Sequence, residues 1–197
     1  MVTLLILDGY GIGKADKGSN AIYQNSPNME FLMQKFPSAK LIASGEGVGL
    51  SDGQMGNSET GHLNIGAGRV VYQNLTRIDN LIKEDAFKEN DVILKLISHV
   101  KKHGGKVHIM GLLSDGGVHS HINHLKYFLK LLDKNGCEIV LHCFLDGRDV
   151  KFNSGIDYLK EIKDFISENK LRCEIADIIG RVYAMDRERR FDRVEKA

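Results

Sequence analysis

The sequence predicts an α/β protein with a mostly parallel sheet. Three observations carry that expectation: short apolar runs rich in β-branched residues, helical apolar patterns between them, and a polar cluster directly after each run. The runs are Val107 to Leu113, Glu138 to Leu145 and Arg172 to Ile179. Strands of a parallel sheet present their carboxyl ends on one side, so the clusters that follow them converge. The edge is expected to gather His119, His121, Arg148, Asp149 and Arg181.

The chain has 197 residues, of which 42% are hydrophobic and 27% charged, which suits one large or two small globular domains. Its 27 basic and 26 acidic residues leave a net charge of +1. No global field draws it to nucleic acid or an anionic membrane, so any anion must be held by a local cluster. The apolar run at Leu4 to Leu7 is far too short to span a bilayer, and Asp8 interrupts it before it could serve as a signal-peptide core; a cytoplasmic protein is expected. Cys137, Cys143 and Cys173 are odd in number and form no Cys-x-x-Cys pair, which reads as three reduced core thiols.

Taken in order, Val2 to Leu7 reads as a buried strand ending at Asp8-Gly9-Tyr10-Gly11-Ile12-Gly13. Asp8 stands where open α/β sheets place ligand-binding groups, and its hard carboxylate suits Mg²⁺ or Mn²⁺; it is equally a turn-forming aspartate. Ser26-Pro27 opens a helix whose Met29, Leu32, Met33 and Phe36 are spaced as a core face, and Pro37 ends it. A second strand is expected over Ala39 to Ala43. After Arg69 glycine almost disappears, which places a domain boundary near Val70 to Gln73. Two helical patterns follow, marked by Leu75, Ile78, Leu81 and Ile82 and then by Ile93, Leu96, Ile97 and Val100, closing at His103-Gly104-Gly105. The next apolar faces are Ile122, Leu125, Phe128, Leu129 and Leu132, then Ile156, Leu159, Ile162 and Ile166, the latter helix opening near Ser154 with Asp157 as its capping-box partner.

The richest stretch chemically is Ser51 to Arg69, whose centre reads Gly56-Asn57-Ser58-Glu59-Thr60-Gly61-His62. Eight of the 21 glycines fall between Gly45 and Gly68. Such a backbone allows close approach to a phosphate or metal, and a helix N-terminus offers free N–H groups to an anion. Ser58, just before the expected helix start, is the candidate nucleophile; the same residue could serve as an N-cap. A serine hydroxyl is weakly nucleophilic at neutral pH, so it would need a metal or a base. Arginines at strand ends suit a small, highly anionic substrate such as a phosphorylated carboxylic acid, because guanidinium pairs with carboxylate and phosphate in a bidentate way. By spacing alone, Asp115-x-x-x-His119-x-His121 serves a hydrolytic metal site as well as a substrate site. The arginines from Arg187 to Arg193 fit a solvated helix face better than a nucleic-acid contact, since Phe191 is their only interleaved aromatic. Spacing gives His62 no role.

Several segments together resemble the cofactor-independent (2,3-bisphosphoglycerate-independent) phosphoglycerate mutase family of the alkaline-phosphatase-like superfamily. They are Ile6 to Gly11, Gly56 to Arg69, Leu113 to His121, Asp146-Gly147-Arg148-Asp149 and Ala184-Met185-Asp186-Arg187, in the family's order. The resemblance implies an N-terminal segment of a metal-binding phosphatase-like domain over residues 1–72 and the first part of an inserted phosphotransferase domain over 73–197. It also implies Mn²⁺-dependent interconversion of 3-phosphoglycerate and 2-phosphoglycerate in glycolysis and gluconeogenesis, through a phosphoserine at Ser58. Asp8 and Ser58 match ligands of one of two metal ions. His119, Arg148, Asp149, Arg181 and Arg187 match substrate-binding positions, Asp149 also being a candidate for moving protons at the glycerate hydroxyls. The histidine question then falls to substrate at His119, with His121 and His124 as structural neighbours. The partner is the small substrate alone, without nucleic acid or membrane, and the full-length protein is expected to be a monomer.

Family members are more than twice this long, so the chain reads as truncated within the inserted domain. The Asp and His residues that would complete both metal sites lie in the part it lacks. Two oxygen donors cannot fill the coordination of a hard divalent ion. The purified 197-residue chain is therefore expected to show no mutase turnover and to bind Mn²⁺ weakly, which a coupled enolase assay and calorimetric Mn²⁺ titration would check.

Overall fold

The computed structural model describes residues 1–8, 10 and 25–197. The glycines expected to turn the chain after Asp8 (Gly9, Gly11 and Gly13) lie outside the described residues. The chain divides into two compact units, Met1–Thr76 and Arg77–Ala197.

In the first unit, helix α1 (Pro27–Lys35) starts at Ser26 with proline in its first turn, where the missing N–H costs no hydrogen bond. A short 3₁₀ turn (Gly45–Val48) leads through the glycine-rich loop into α2 (Ser58–Ala67). Asn64 on α2 fastens that helix to the loop: its amide donates to the Val48 carbonyl (2.9 Å) and its oxygen accepts the Val71 N–H (2.7 Å). Among the described residues of this unit, the buried side chains are Val48, Leu50, Thr60 and Thr76.

Three sequence expectations fail here. Val2 to Leu7 and Ala39 to Ala43 form no strand, and Leu4, Leu5, Leu41 and Ile42 are exposed. A strand is defined by the ladder it joins, and no described segment pairs with either. Helix α1 forms as expected yet buries none of its residues, so Met33 and Phe36 are exposed where a core face was predicted.

The second unit follows its sequence pattern closely. Helix α3 (Asn74–Lys83), whose first three residues are counted with the first unit, leads to a 3₁₀ turn (Ala86–Glu89) and to α4 (Asp91–His103), where the Asn90 side chain caps the Val92 and Ile93 N–H groups and Gly104 ends the helix at φ 75°. Then come β1 (Val107–Leu113), α5 (Ile122–Lys134), β2 (Ile139–Leu145), α6 (Gly155–Glu168) and β3 (Cys173–Gly180), with two short helical turns, α7 (Arg181–Ala184) and α8 (Phe191–Val194). The sheet is parallel throughout, in the order β1-β2-β3. β2 is central and most deeply buried. Ile139, Leu141 and Cys143 of β2 share one core with Val107 and Leu113 of β1, Ile97 of α4, Leu129 of α5 and Ile162 of α6.

Two details depart from expectation. Ser154 precedes α6 as predicted, but its hydroxyl donates to the Lys151 carbonyl (2.7 Å) and makes no capping bond, because the residue already has helical backbone angles. β3 carries one extra residue: Leu141 pairs with Ile175 but His142 with Asp177, so Ala176 bulges out. The bulge places Asp177 beside His142 in a row that crosses the sheet. His108 Nδ1 lies 2.9 Å from His142 Nε2, and His142 Nδ1 lies 2.5 Å from Asp177 Oδ2.

The three cysteines are free; Cys137 and Cys143 are buried, and burial pushes the thiols of Cys143 and Cys173 up to about 11, so both stay protonated at neutral pH. Among the described residues no helix is long and apolar enough to cross a membrane. Ile162 is 0% exposed and Ile156 on the same helix is 55% exposed. Urea unfolding should therefore show Ile162→Ala losing about 2–5 kcal/mol and Ile156→Ala within about 0.5 kcal/mol of the parent.

Candidate active site

The predicted site residues form two groups, one in each unit. Asp8 and Ser58 meet in the first: the Ser58 hydroxyl donates to Asp8 Oδ2 at 2.6 Å. Ser58 is the first residue of α2. The N-cap is Asn57, whose side chain accepts the Thr60 N–H at 2.9 Å, so the serine hydroxyl is left for chemistry. His62, one turn along, places Nδ1 2.8 Å from the Ser58 carbonyl and 3.2 Å from its Oγ. The approach to this helix needs glycine at position 56, where a Cβ would lie 1.7 Å from the Ala43 carbonyl oxygen. That contact locks the turn before Asn57 and Ser58.

Asp8 and Ser58 suit a hard divalent cation in kind, being oxygen donors on one spot, and fall short in number. Among the described residues no group of three or more His, Cys, Asp or Glu side chains is assembled for a metal.

The second group collects at the carboxyl edge of the sheet. Leu113, Leu145 and Gly180 end the three strands in mutual register, so Ser114, Asp146 and Arg181 follow as neighbours. The Ser114 hydroxyl donates to Asp146 Oδ2 (2.8 Å), and Arg181 Nη1 donates both to Asp146 Oδ1 (2.9 Å) and to Asp149 Oδ2 (2.6 Å). Asp146 Oδ1 also accepts the N–H groups of Arg148 and Asp149, each at 3.0 Å. His119 Nε2 stands 4.0 Å from Asp149 Oδ2. A second carboxylate, Asp186, accepts the N–H groups of Glu188 (3.2 Å) and Arg190 (2.8 Å) and so shapes the turn that carries Arg187.

A cavity of ≈ 520 Å³ opens onto this edge, lined by His119, Arg148, Arg181, Arg187 and Arg193. Arg181 is paired with two aspartates, and Arg193 with Asp186 and Glu188. Among the described residues the guanidinium groups of Arg148 and Arg187 have no carboxylate partner. The cavity therefore offers, beside a histidine, two guanidinium groups without a carboxylate partner, which suits a small ligand with two acidic groups.

Sequence reasoning passed over Asp146 and Asp186 as agents of their own. The signal was present: an aspartate followed within two residues by an arginine, in a turn where its side chain can bond the N–H groups ahead. His121 is the N-cap of α5, its Nδ1 accepting the Asn123 N–H (3.1 Å), and His124 pairs with Asp79 (2.6 Å). Burial, and secondarily the neighbouring His124, lower the pKa of His121.

Burial disfavours the Asp146 carboxylate, yet the N–H groups of Asp149 and Arg148, the Ser114 hydroxyl and Arg181 outweigh it and hold the group at about 2. A carboxyl depressed in the fold stabilises it above its unfolded pKa and loses that effect as pH falls. The stability gap between the parent chain and Asp146→Asn, measured by urea unfolding, should be constant above about pH 5. It should shrink by about 2 kcal/mol between pH 4 and pH 2.

Comparison with known proteins adds a third line to sequence and geometry. Residues 78–197 match the protein family described as BPG-independent PGAM N-terminus. The chain is 50% identical over all its 197 residues to the 2,3-bisphosphoglycerate-independent phosphoglycerate mutases of Clostridium perfringens strains 13 and SM101. It spans 38% of the length of these curated relatives. Its fold is similar to that of a crystallised Leishmania mexicana phosphoglycerate mutase studied at low cobalt concentration. The TM-score is 0.66 at 34% identity, covering 96% of this chain and 36% of that one.

Proposed function

Because the chain belongs to the 2,3-bisphosphoglycerate-independent phosphoglycerate mutase family, we propose that it carries the nucleophile and much of the substrate site for interconverting 3-phosphoglycerate and 2-phosphoglycerate. The observation that carries this reading is the Ser58 hydroxyl at the start of α2, hydrogen-bonded to Asp8 at 2.6 Å and free of capping duty.

In this reading Ser58 Oγ attacks the phosphorus, the bond from phosphorus to the substrate oxygen breaks, and Asp8 receives the serine proton. Arg148 and Arg187, with no carboxylate partner among the described residues, grip the phosphoryl and carboxylate groups; His119 adds a donor. Glycerate turns without leaving, and its other hydroxyl attacks the phosphoserine. Asp149, held beside Arg181, supplies a proton to the oxygen that the phosphoryl group leaves and then takes the proton of the attacking hydroxyl, while Asp8 returns its proton to Ser58 Oγ as the Oγ–P bond breaks. Mn²⁺ held by Asp8 and Ser58 together with ligands from outside this chain would lower the proton affinity of the serine hydroxyl and neutralise phosphoryl charge.

In the full-length protein carrying this chain, Ser58→Ala should cut turnover on the order of 10³-fold or more and abolish the phosphoserine seen by mass spectrometry. Release of free phosphate in place of 2-phosphoglycerate would assign a phosphatase instead. Unchanged function in Ser58→Ala would leave an anion-binding module.

A further inference from the structure

Asp146 lines the cavity together with Arg148 and Arg181, and three of its four hydrogen bonds come from Arg148, Asp149 and Arg181. Its side chain is 2% exposed and every bond it makes is to a donor, so it is an anion held in place by design of the strand ends. Two of those donors are the backbone N–H groups of Arg148 and Asp149, which means that the carboxylate shapes the turn itself. The third, Arg181 Nη1, reaches on to Asp149 Oδ2. Asp149 is thus clamped at both ends, its N–H by Asp146 and its carboxylate by an arginine that Asp146 also holds.

We infer that Asp146 is the positioning residue for Asp149 at this site. The inference rests on the mutase reading for the reaction that Asp149 serves, though not for the geometry. The clamp separates two properties of the site. Arg148 makes only a backbone bond to Asp146, and Arg187 sits on a turn shaped by Asp186, so the guanidinium groups that grip the anion do not depend on the Asp146 carboxylate for charge or partner. The residue that depends on it twice, through its own N–H and through Arg181, is Asp149, the group assigned to proton movement. Loss of Asp146 therefore strikes the chemical step harder than affinity.

Steady-state kinetics of the full-length protein carrying this chain supply the first test. Asp146→Ala should lower kcat about 100-fold with KM within about threefold, since a catalytic group misplaced by about 1 Å costs about that much. Asp146→Asn, which keeps an acceptor oxygen for both N–H groups, should recover at least about tenfold of the loss. A fall expressed mainly in KM, or equal activity in all three proteins, would overturn the inference. Should Asp146→Ala fail to fold, Asp146→Asn decides alone: kcat about tenfold below the parent at unchanged KM supports it, and unchanged kcat overturns it.

The second test needs no turnover and so separates this inference from the mutase reading. In the 197-residue chain, the Arg148 and Asp149 amide protons should lose hydrogen-exchange protection in Asp146→Ala, while core amides of β2 keep theirs. Retained protection at both positions would overturn the positioning role even if the full-length enzyme proves to be a mutase. Lost protection would uphold it even if the parent protein turned over no phosphoglycerate.

Discussion

A carboxylate at the end of a central strand can stay ionised out of water only if other dipoles and charges replace its hydration. Asp146 meets that demand with two backbone N–H groups, a hydroxyl and a guanidinium, drawn from all three strand ends. Satisfying one buried charge thereby organises an entire edge. The turn after β2 acquires its shape, Arg181 acquires its direction, and Asp149 is brought within 4.0 Å of His119. The core beneath, centred on Leu113, Leu129, Ile139, Leu141 and Ile162, supplies the rigid platform on which such a row can form.

The distribution of charge around the cavity follows from the same demand. Arginines that help to build the site are already paired: Arg181 to Asp146 and Asp149, Arg193 to Asp186 and Glu188. Among the described residues Arg148 and Arg187 have no carboxylate partner, so their charge is not compensated locally. A near-neutral chain can in this way maintain a locally positive cavity, which a composition of 27 basic and 26 acidic residues does not suggest. The serine site is built on a different principle. Its geometry comes from backbone closeness, with Gly56 against the Ala43 carbonyl and Asn64 tying α2 to the loop, and only then from the bond between Ser58 and Asp8.

Much of this was legible in the residues. The second unit could be read element by element, because Ile97, Leu129, Ile162 and their neighbours recur at the period of the element they build. The motifs around Ser58 and Arg148 pointed to the family that the comparisons show. Periodicity failed at Val2 to Leu7, at Ala39 to Ala43 and at the face of α1, since apolar spacing states what a segment could bury and not whether a partner is there to cover it. The identity of the α2 cap was lost between two adjacent residues, Asn57 and Ser58, that are equally good at capping; only the position of the first helical turn decides between them. Roles that depend on long-range bonding, such as that of Asp146, required coordinates because Ser114 and Arg181 lie 32 and 35 positions away from it.

The extra residue at Ala176 acts as a phase adjuster for the whole edge. Before the bulge, Ile175 stands opposite Leu141, an offset that carried to the end of β2 would set Gly180 opposite Asp146. The one-residue slip brings Arg181 there instead, in time with Ser114 across the other side. β3 thus has a reading frame in the mechanical sense. Its length between bulge and strand end decides which residue of β3 meets Asp146, so Ala176 contributes by being counted in the strand.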